Sequence, residues 1–481
     1  MLCFEKQTHD EKPSVHPAVN HINTHDSDTR DWTAAEERAV VRKIDLTVLP
    51  LLMLLFFFLQ LDRANAGNAL TDGFLTDINI TQAQYNTGTQ LLYAGIVLLE
   101  LPSNAALFRV GARFWLGGQC FAWGTVATLQ AFQHNLAGFY ATRALLGLCE
   151  AGFIPGALFT LSLWYTNAEI SRRFACLFVA NALGSACTGL VAYGVLALRG
   201  RAGLAGWQWL FVLEGGLTVL ASLLFVALFP KSVADPRALV GGGRFSVRER
   251  GILRRRVLLD DPSKVSGRRH VSGADVLHTL KDWRMWPHLV IAVAGLAPGN
   301  ALWSYMPSII SSFGYDRLHS NAMTSVGNWI NVVVIIIFGI LADKTGRRGL
   351  IVILGVIFEF GFMLAMRCIT DDPSEQKRYA VLTVASATMS GWHSVNGSWL
   401  SIRASSPAER SVRMALFIMA ANIGGIVGAF IFRSDDKPYY YRGWTLCTCF
   451  AALCVALVAC LLLAYRAFDK KEIKAEEEAT P

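Results

Sequence analysis

Four ionisable residues fall inside otherwise apolar stretches, and they come in two sets: Asp62 beside Arg63, and Arg143 seven positions before Glu150. A charged side chain at the centre of a membrane span costs about 2.5 to 3.5 kcal/mol even on the lenient insertion scale, so it persists only where it pairs or lines water. Seven residues make about two helical turns, which puts Arg143 and Glu150 on one helix face with about 10 Å of rise between them. Arginine is a permanent cation whose planar donor fork suits carboxylates. A carboxylate in a partly dry site is changeable: burial favours the neutral acid and a neighbouring guanidinium favours the anion. Together they meet the requirement for linking an anion to a proton. The anion takes over the arginine, and the abandoned carboxylate binds a proton. The competing reading is two interhelical ion pairs that fix packing.

Other polar groups in apolar stretches are weaker candidates. Glu100 and Glu214 lie toward span ends, where inner-loop arginines or backbone amides are the expected partners. Glu359 is expected to have a packing partner and has no assigned function. His393 either titrates near neutrality or packs through hydrogen bonds. Asn181 and Asn396 are candidates to face a cavity, although amides also join membrane helices. Gly147, Gly152 and Gly156 are spaced for close helix approach, and Trp115, Trp207 and Trp444 read as interface anchors. The remaining histidines are placed in tails or loops; no HExxH, nucleophile motif or G-x-x-x-x-G-K-[ST] occurs, which argues against an enzyme or an ATP-driven pump. No metal or cofactor is expected.

Those residues need helices to hold them. The 481 residues are 53% hydrophobic and 17% charged, against about 25% charged in soluble domains, so the apolar surplus must face lipid. A net charge of +8 does not point to nucleic acid, because the basic residues recur in short clusters between apolar runs. Nine of the ten cysteines lie in or beside those runs, with no CxxC, and read as packing residues. Spanning about 30 Å of hydrocarbon takes about 20 mostly apolar residues in a helix. Twelve stretches qualify, near 44–68, 84–108, 115–133, 137–165, 174–198 and 207–229, then 286–312, 322–342, 349–369, 379–402, 412–432 and 443–466. The predicted fold is an all-α membrane protein of twelve transmembrane helices in two six-helix halves, 44–230 and 285–466.

Between the halves, the linker 231–284 carries thirteen Lys/Arg against six Asp/Glu and has no run long enough to span. The even-numbered connections are basic, with Arg109 and Arg113, Arg172 and Arg173, Lys344 with Arg347 and Arg348, and Arg410 and Arg413, whereas 130–137 has no Lys or Arg. Positive charge marks the cytoplasmic side, so the linker and both tails, 1–43 and 467–481, are predicted cytoplasmic. The first tail lacks the apolar core of a cleavable signal; disorder is expected before about residue 30, and 32–43 reads either as a short amphipathic helix on the membrane or as a frayed tail. Asn79-Ile80-Thr81 in the first outer loop is a sequon open to glycosylation.

Gly339-Ile340-Leu341-Ala342-Asp343-Lys344-Thr345-Gly346-Arg347-Arg348 between spans eight and nine reads as G-x-L-x-D-[KR]-x-G-R-R. It resembles the conformational loop of the major facilitator superfamily, where glycines permit the turn and the charges bridge helix ends. The equivalent first-half loop, 109–115, lacks the aspartate. Further stretches are Arg42-Lys43-Ile44-Asp45, Leu61-Asp62-Arg63-Ala64-Asn65, the run from Arg143-Ala144-Leu145-Leu146-Gly147 through Glu150 to Pro155-Gly156, Trp207-Gln208-Trp209, and Asp435-Asp436-Lys437-Pro438-Tyr439-Tyr440. With them the chain resembles the anion:cation symporter family from 42 to 466, closest to the fungal allantoate permease branch. That resemblance implies a monomeric secondary carrier of a small anionic substrate with protons, in the plasma membrane or else a vacuolar or other internal membrane. Asp62 and Glu150 would be the proton sites and Arg63 and Arg143 the anion anchors, with Asn181, His393 and Asn396 as further substrate contacts. Ser401-Ile402-Arg403 departs from the asparagines common in that branch, leaving the substrate and the role of Arg403 open. Proton-antiport efflux and a non-transporting nutrient receptor remain alternatives.

Overall fold

The computed structural model describes residues 31–260, 273–402 and 407–479. The tail before residue 31, Cys3, and Arg403 lie outside the described residues. Twelve helical crossings follow one another. Spans one to six are Leu49–Ala69, Gln82–Val110, Ala112–Leu129, the pair Leu136–Glu150 and Phe153–Trp164, Asn167–Leu196, and Gly206–Leu228. Spans seven to twelve are Met285–Ser312, Arg317–Thr345, Arg348–Ile369, the pair Glu375–Thr388 and His393–Ile402, Pro407–Gly428, and Tyr441–Ala479. Eight of them are long and apolar enough to cross a membrane unaided. Spans two, three, ten and eleven carry buried polar groups, among them Asn86, Gln119, Asn396 and Arg413, which face protein.

Span one is led into by an amphipathic helix, Ala34–Thr47, started by a capping box between Thr33 and Glu36 and joined to Leu49–Ala69 through Val48, itself αR. Its buried face is Val40, Ile44 and Thr47, while its acids and bases reach the linker. Lys43 pairs with Glu249 at 2.6 Å and Arg248 with Glu36 at 3.0 Å, both on the linker helix Val247–Asp260. Arg256 of that helix, its side chain almost fully buried, reaches Glu169 at the start of span five and Glu37. The linker is thus structured against the first half in part.

Each half carries the same charge clamp at this end. Asp45, before span one, pairs with Arg173 of span five at 2.8 Å and accepts the Tyr165 hydroxyl at 2.7 Å. Asp282, before span seven, pairs with Arg413 of span eleven, which also holds Glu409 four residues back at 2.5 Å; Glu169 stands at the same spacing before Arg173. Burial pushes the Asp282 carboxyl up, but the Arg284 hydrogen bonds and the charges of Arg284 and Arg413 outweigh it and hold it below the usual aspartate range. The Asp282 carboxylate therefore stays charged at every physiological pH.

Span four is broken. Gly152 takes φ 74, a left-handed conformation that favours glycine, and separates Glu150 from Phe153. Lipid offers nothing to the freed backbone groups, so protein must. Glu100 accepts the Gly152 N–H at 3.2 Å, and Gln119 Nε2 donates to the Ala151 carbonyl at 2.7 Å. Span ten is interrupted at the equivalent place, where Asn331 donates to the Ala387 carbonyl at 2.8 Å.

Contacts joining the halves begin at the ends near residue 72 and reach only to mid-bundle. Asp72 pairs with Arg317 of span eight and with Arg199 at 3.0 Å, and Asn321 donates to Thr71 at 2.8 Å. Gln82 donates to the Tyr305 hydroxyl at 2.6 Å, and that hydroxyl donates to Asn86. Deepest are Asn328 to the Ser185 carbonyl at 2.9 Å and Tyr93 to Asn300 at 3.3 Å. The described polar contacts between the halves stop there, so the bundle is closed at the end bearing Asp72.

Trp207 and Trp444 are not interface anchors: both are buried, Trp207 donating to Asp77 at 2.8 Å. Their indoles fill helix packing that hydropathy cannot see. Gly147 lies against span two so closely that a Cβ would stand 2.0 Å from the Leu92 carbonyl oxygen, whereas one at Gly118 would meet nothing within 4 Å. Gly147→Val should therefore cost about 1 to 3 kcal/mol or more by overpacking and lower the yield of folded protein, with Gly118→Val close to wild type. Thermal melting and monodispersity in detergent check this.

Candidate functional site

The break in span four leaves Glu150 as the last residue of its first segment, and the side chain meets Arg63 across the bundle. Arg63 Nε and Glu150 Oε2 are 2.6 Å apart, with the carboxylate fully buried and the guanidinium 17% exposed. Arg143 lies two turns earlier, buried, its guanidinium 5.6 Å from the Phe139 ring centre and within electrostatic range of Glu150. Its Nε and Nη2 find no acceptor among the described residues, and Glu150 Oε1 finds no donor. Removing one partner of a buried ion pair costs about 3 to 5 kcal/mol, so an unpaired buried guanidinium is an expensive feature to keep.

Three of the four charges thus come together. Asp62 does not join them: adjacent residues on a helix point about 100° apart, and Asp62 faces spans three and six instead. Its Oδ2 accepts Trp123 Nε1–H at 3.1 Å and the Thr218 hydroxyl at 2.8 Å, with Glu214 buried nearby. It is fully enclosed, behind the Arg63–Glu150 pair and within electrostatic range of Glu150.

Tyr93 completes the group. It lies within electrostatic range of Arg63, Glu150 and Arg143, its hydroxyl donates to Asn300 of span seven, and its ring fills the space over Gly425 of span eleven, where a Cβ would meet it at 2.5 Å. The charged site of the first half therefore touches the second half through two phenols, Tyr93 and Tyr85, the latter within electrostatic range of Arg143 and edge-on to Tyr305 of span seven at 6.0 Å. Sequence reasoning missed Tyr93 and Asn300; the available signal was a polar group mid-span in each of two cavity-facing helices.

The other candidates scatter. Asn181 donates to Gln60 of span one at 3.2 Å, tying spans five and one near the site. Asn396 does not face a cavity: it is fully buried against His288, with Asn396 Oδ1 and His288 Nδ1 2.6 Å apart and Tyr465 on the other ring nitrogen at 3.1 Å. His288 is accordingly a span-seven packing residue, not a loop histidine. His393 stacks on Phe417 at 4.6 Å, remote from the arginines in sequence and in contacts. Glu359 accepts Trp392 Nε1–H at 2.6 Å, a packing partner at the break in span ten.

In the loop between spans eight and nine, Gly339 lies inside the helix and makes no turn; Gly346, at φ 63, is the turning residue. Lys344 and Arg347 are exposed, Arg348 less so, and the Asp343 side chain lies outside the described residues. Nothing in the described residues groups three or more His, Cys, Asp or Glu for a metal ion.

Because Arg63 and Glu150 neutralise each other, Arg63→Ala should destabilise the fold by about 3 to 5 kcal/mol, and Arg63→Ala with Glu150→Ala by much less. A double-mutant cycle on melting temperatures, with Glu150→Ala as the other single variant, reads the coupling; a double-variant loss equal to the sum of the two single losses would show that the pair contributes nothing.

Comparison with known proteins follows the same outline. The profile of the Major Facilitator Superfamily matches residues 52–429 and, in a second alignment, 289–481. An uncharacterized transporter of Saccharomyces cerevisiae is 31% identical over 434 residues, covering 89% of this chain and 80% of that protein. A major facilitator-type transporter of Emericella nidulans, hxnP, is 30% identical over 417 residues, 84% and 81% of the two chains. The crystal structure of a bacterial homolog to the human lysosomal transporter Spinster superposes with a TM-score of 0.66 at 15% identity, over 88% of this chain and 97% of that one.

Proposed function

Because the chain belongs to the Major Facilitator Superfamily and is a multi-pass membrane transporter, not an enzyme, we propose that it carries a small organic anion in symport with protons. The observation that carries this reading is the Arg143 guanidinium, buried with two donors unaccepted beside an Arg63–Glu150 pair. Arg143 is thereby left as a buried guanidinium with no carboxylate bonded to it. A single substrate carboxylate neutralises it and supplies the missing acceptors.

Coupling follows from competition for Arg63. When the substrate draws that guanidinium away, Glu150 is left in a dry site without its counter-charge, and protonation relieves the cost. Asp62, hydrogen-bonded to Trp123 and Thr218 behind the pair, is the second proton position. Tyr93, bonded to Asn300 across the halves, passes the change in the cluster to the second half. Asn181 lies close enough through Gln60 to contribute to the binding wall, whereas the contacts of His393 and Asn396 give them packing roles. The loop of Asp343, Lys344, Gly346, Arg347 and Arg348 is assigned to the conformational change, with Gly339 serving only its helix.

The finer placement belongs to the same reading: a member of the anion:cation symporter family of the allantoate permease branch, in the plasma membrane, with both termini cytoplasmic. The basic even-numbered connections support the orientation. On it, the closed end bearing Asp72 is the outer one, and the cavity opens to the cytoplasm.

Purified Glu150→Gln in proteoliposomes should lose uptake driven by a proton gradient and keep counterflow of labelled substrate, because a permanent neutral acid mimic can exchange but not release a proton. Loss of both activities from folded protein sinks the coupling assignment. Arg143→Ala should weaken substrate binding by about 2 kcal/mol or more, roughly 30-fold, read by titration of the folded variant; unchanged binding removes Arg143 from the site.

A further inference from the structure

A second basic site, away from the central cluster, lies where the Gly346 turn joins spans eight and nine. Arg347 and Arg348 from that turn and Arg466 from span twelve line a cleft of about 480 Å³, floored by Trp399. None of its described lining residues is acidic. The two walls differ in kind. One presents guanidinium forks, whose geometry matches phosphate oxygens. The other presents Leu350, 37% exposed, and Ile402, 53% exposed, at the ends of spans nine and ten. Gly349 closes the base, since its backbone packs so tightly on Trp399 and Leu462 that a Cβ would approach them within 2.8 Å.

A soluble phosphate or carboxylate satisfies the arginines and leaves the leucine and isoleucine wet. A molecule with a phosphodiester at one end and hydrocarbon at the other satisfies both walls, and the position of the cleft at the ends of four spans puts it at the depth where lipid headgroups meet acyl chains. We infer that this cleft binds an anionic phospholipid, its phosphate held by Arg347, Arg348 and Arg466 and an acyl chain laid along Leu350 and Ile402. The leaflet is the cytoplasmic one, a point that rests on the orientation proposed above. Bound there, the lipid braces the turn between spans eight and nine against the ends of spans ten and twelve.

The test uses the full-length protein in nanodiscs of phosphatidylcholine with a minor fraction of phosphatidylserine, extracted into mild detergent and weighed by native mass spectrometry. Phosphatidylserine should be retained in preference to phosphatidylcholine. Arg347→Gln with Arg466→Gln should reduce its retention roughly fivefold per arginine, and Arg466→Gln alone, exposed where the apolar stretch of span twelve ends, serves if the double variant does not fold. Inorganic phosphate at millimolar concentration should not displace the lipid. Equal retention of the two lipids, retention unaltered in the variants, or displacement by inorganic phosphate each overturns the inference, the last by making this a soluble-anion site. Retention in detergent is blind to orientation and to transport, so an error in the proposed function leaves this readout unchanged, and an error in orientation changes only the leaflet named.

Discussion

A helix interrupted inside a membrane exposes backbone donors and acceptors that hydrocarbon cannot satisfy. In span four that problem is solved by two polar side chains, Glu100 on the Gly152 amide and Gln119 on the Ala151 carbonyl. The rest of the charged site depends on this arrangement. With the freed backbone groups of the break bonded by spans two and three, Glu150 is delivered at the end of its helical segment to Arg63, and the Nε and Nη2 of Arg143 two turns away are left without an acceptor. Glu100 is in this sense a support for Glu150, and its own carboxylate never needs to reach the cluster.

The two halves repeat this logic with different outcomes. Both clamp the approach to their first helix with an aspartate and an arginine from the fifth, and both interrupt their fourth. In the first half the interruption presents a charge to the interior. In the second it presents Trp392, which is held by Glu359 and packed against Gly295 and Gly355. One half carries the electrostatics, and the other offers mainly shape and amides such as Asn300 and Asn328.

Much of this was legible from residue order. Hydropathy and length alone mark eight of the twelve crossings, because lipid enforces a length and an apolar content that no soluble fold demands. The two charged sets were visible because charge in such a setting is rare. What residue order hides is direction. Asp62 and Arg63 look like one unit and point to different neighbours, since a helix turns by about 100° per residue. Asn396 reads as a cavity group until His288, 108 positions away, is seen beside it. Asp72 and Arg317 read as loop charges, although 245 positions apart they join the halves. Where the amphipathic helix ends and span one begins is not written in residue order, since Ile44 and Val48 are both buried and carry one apolar pattern across the junction.

The seal around Asp72 has a kinetic meaning. Residues of the second half, Arg317, Asn321, Tyr305 and Asn300 among them, meet first-half partners from that end down to the middle, so in this state the cluster is shut off from that side. A solute arriving from the sealed side meets a receptive molecule only when those contacts are parted. Its apparent dissociation constant is the intrinsic one divided by the fraction of molecules so opened. Half-saturation measured from opposite faces of the membrane then differs even though the cluster of arginines and acid is the same from either side, and a carrier built with identical chemistry but a looser seal reads as a tighter binder from the sealed side and a weaker one from the other.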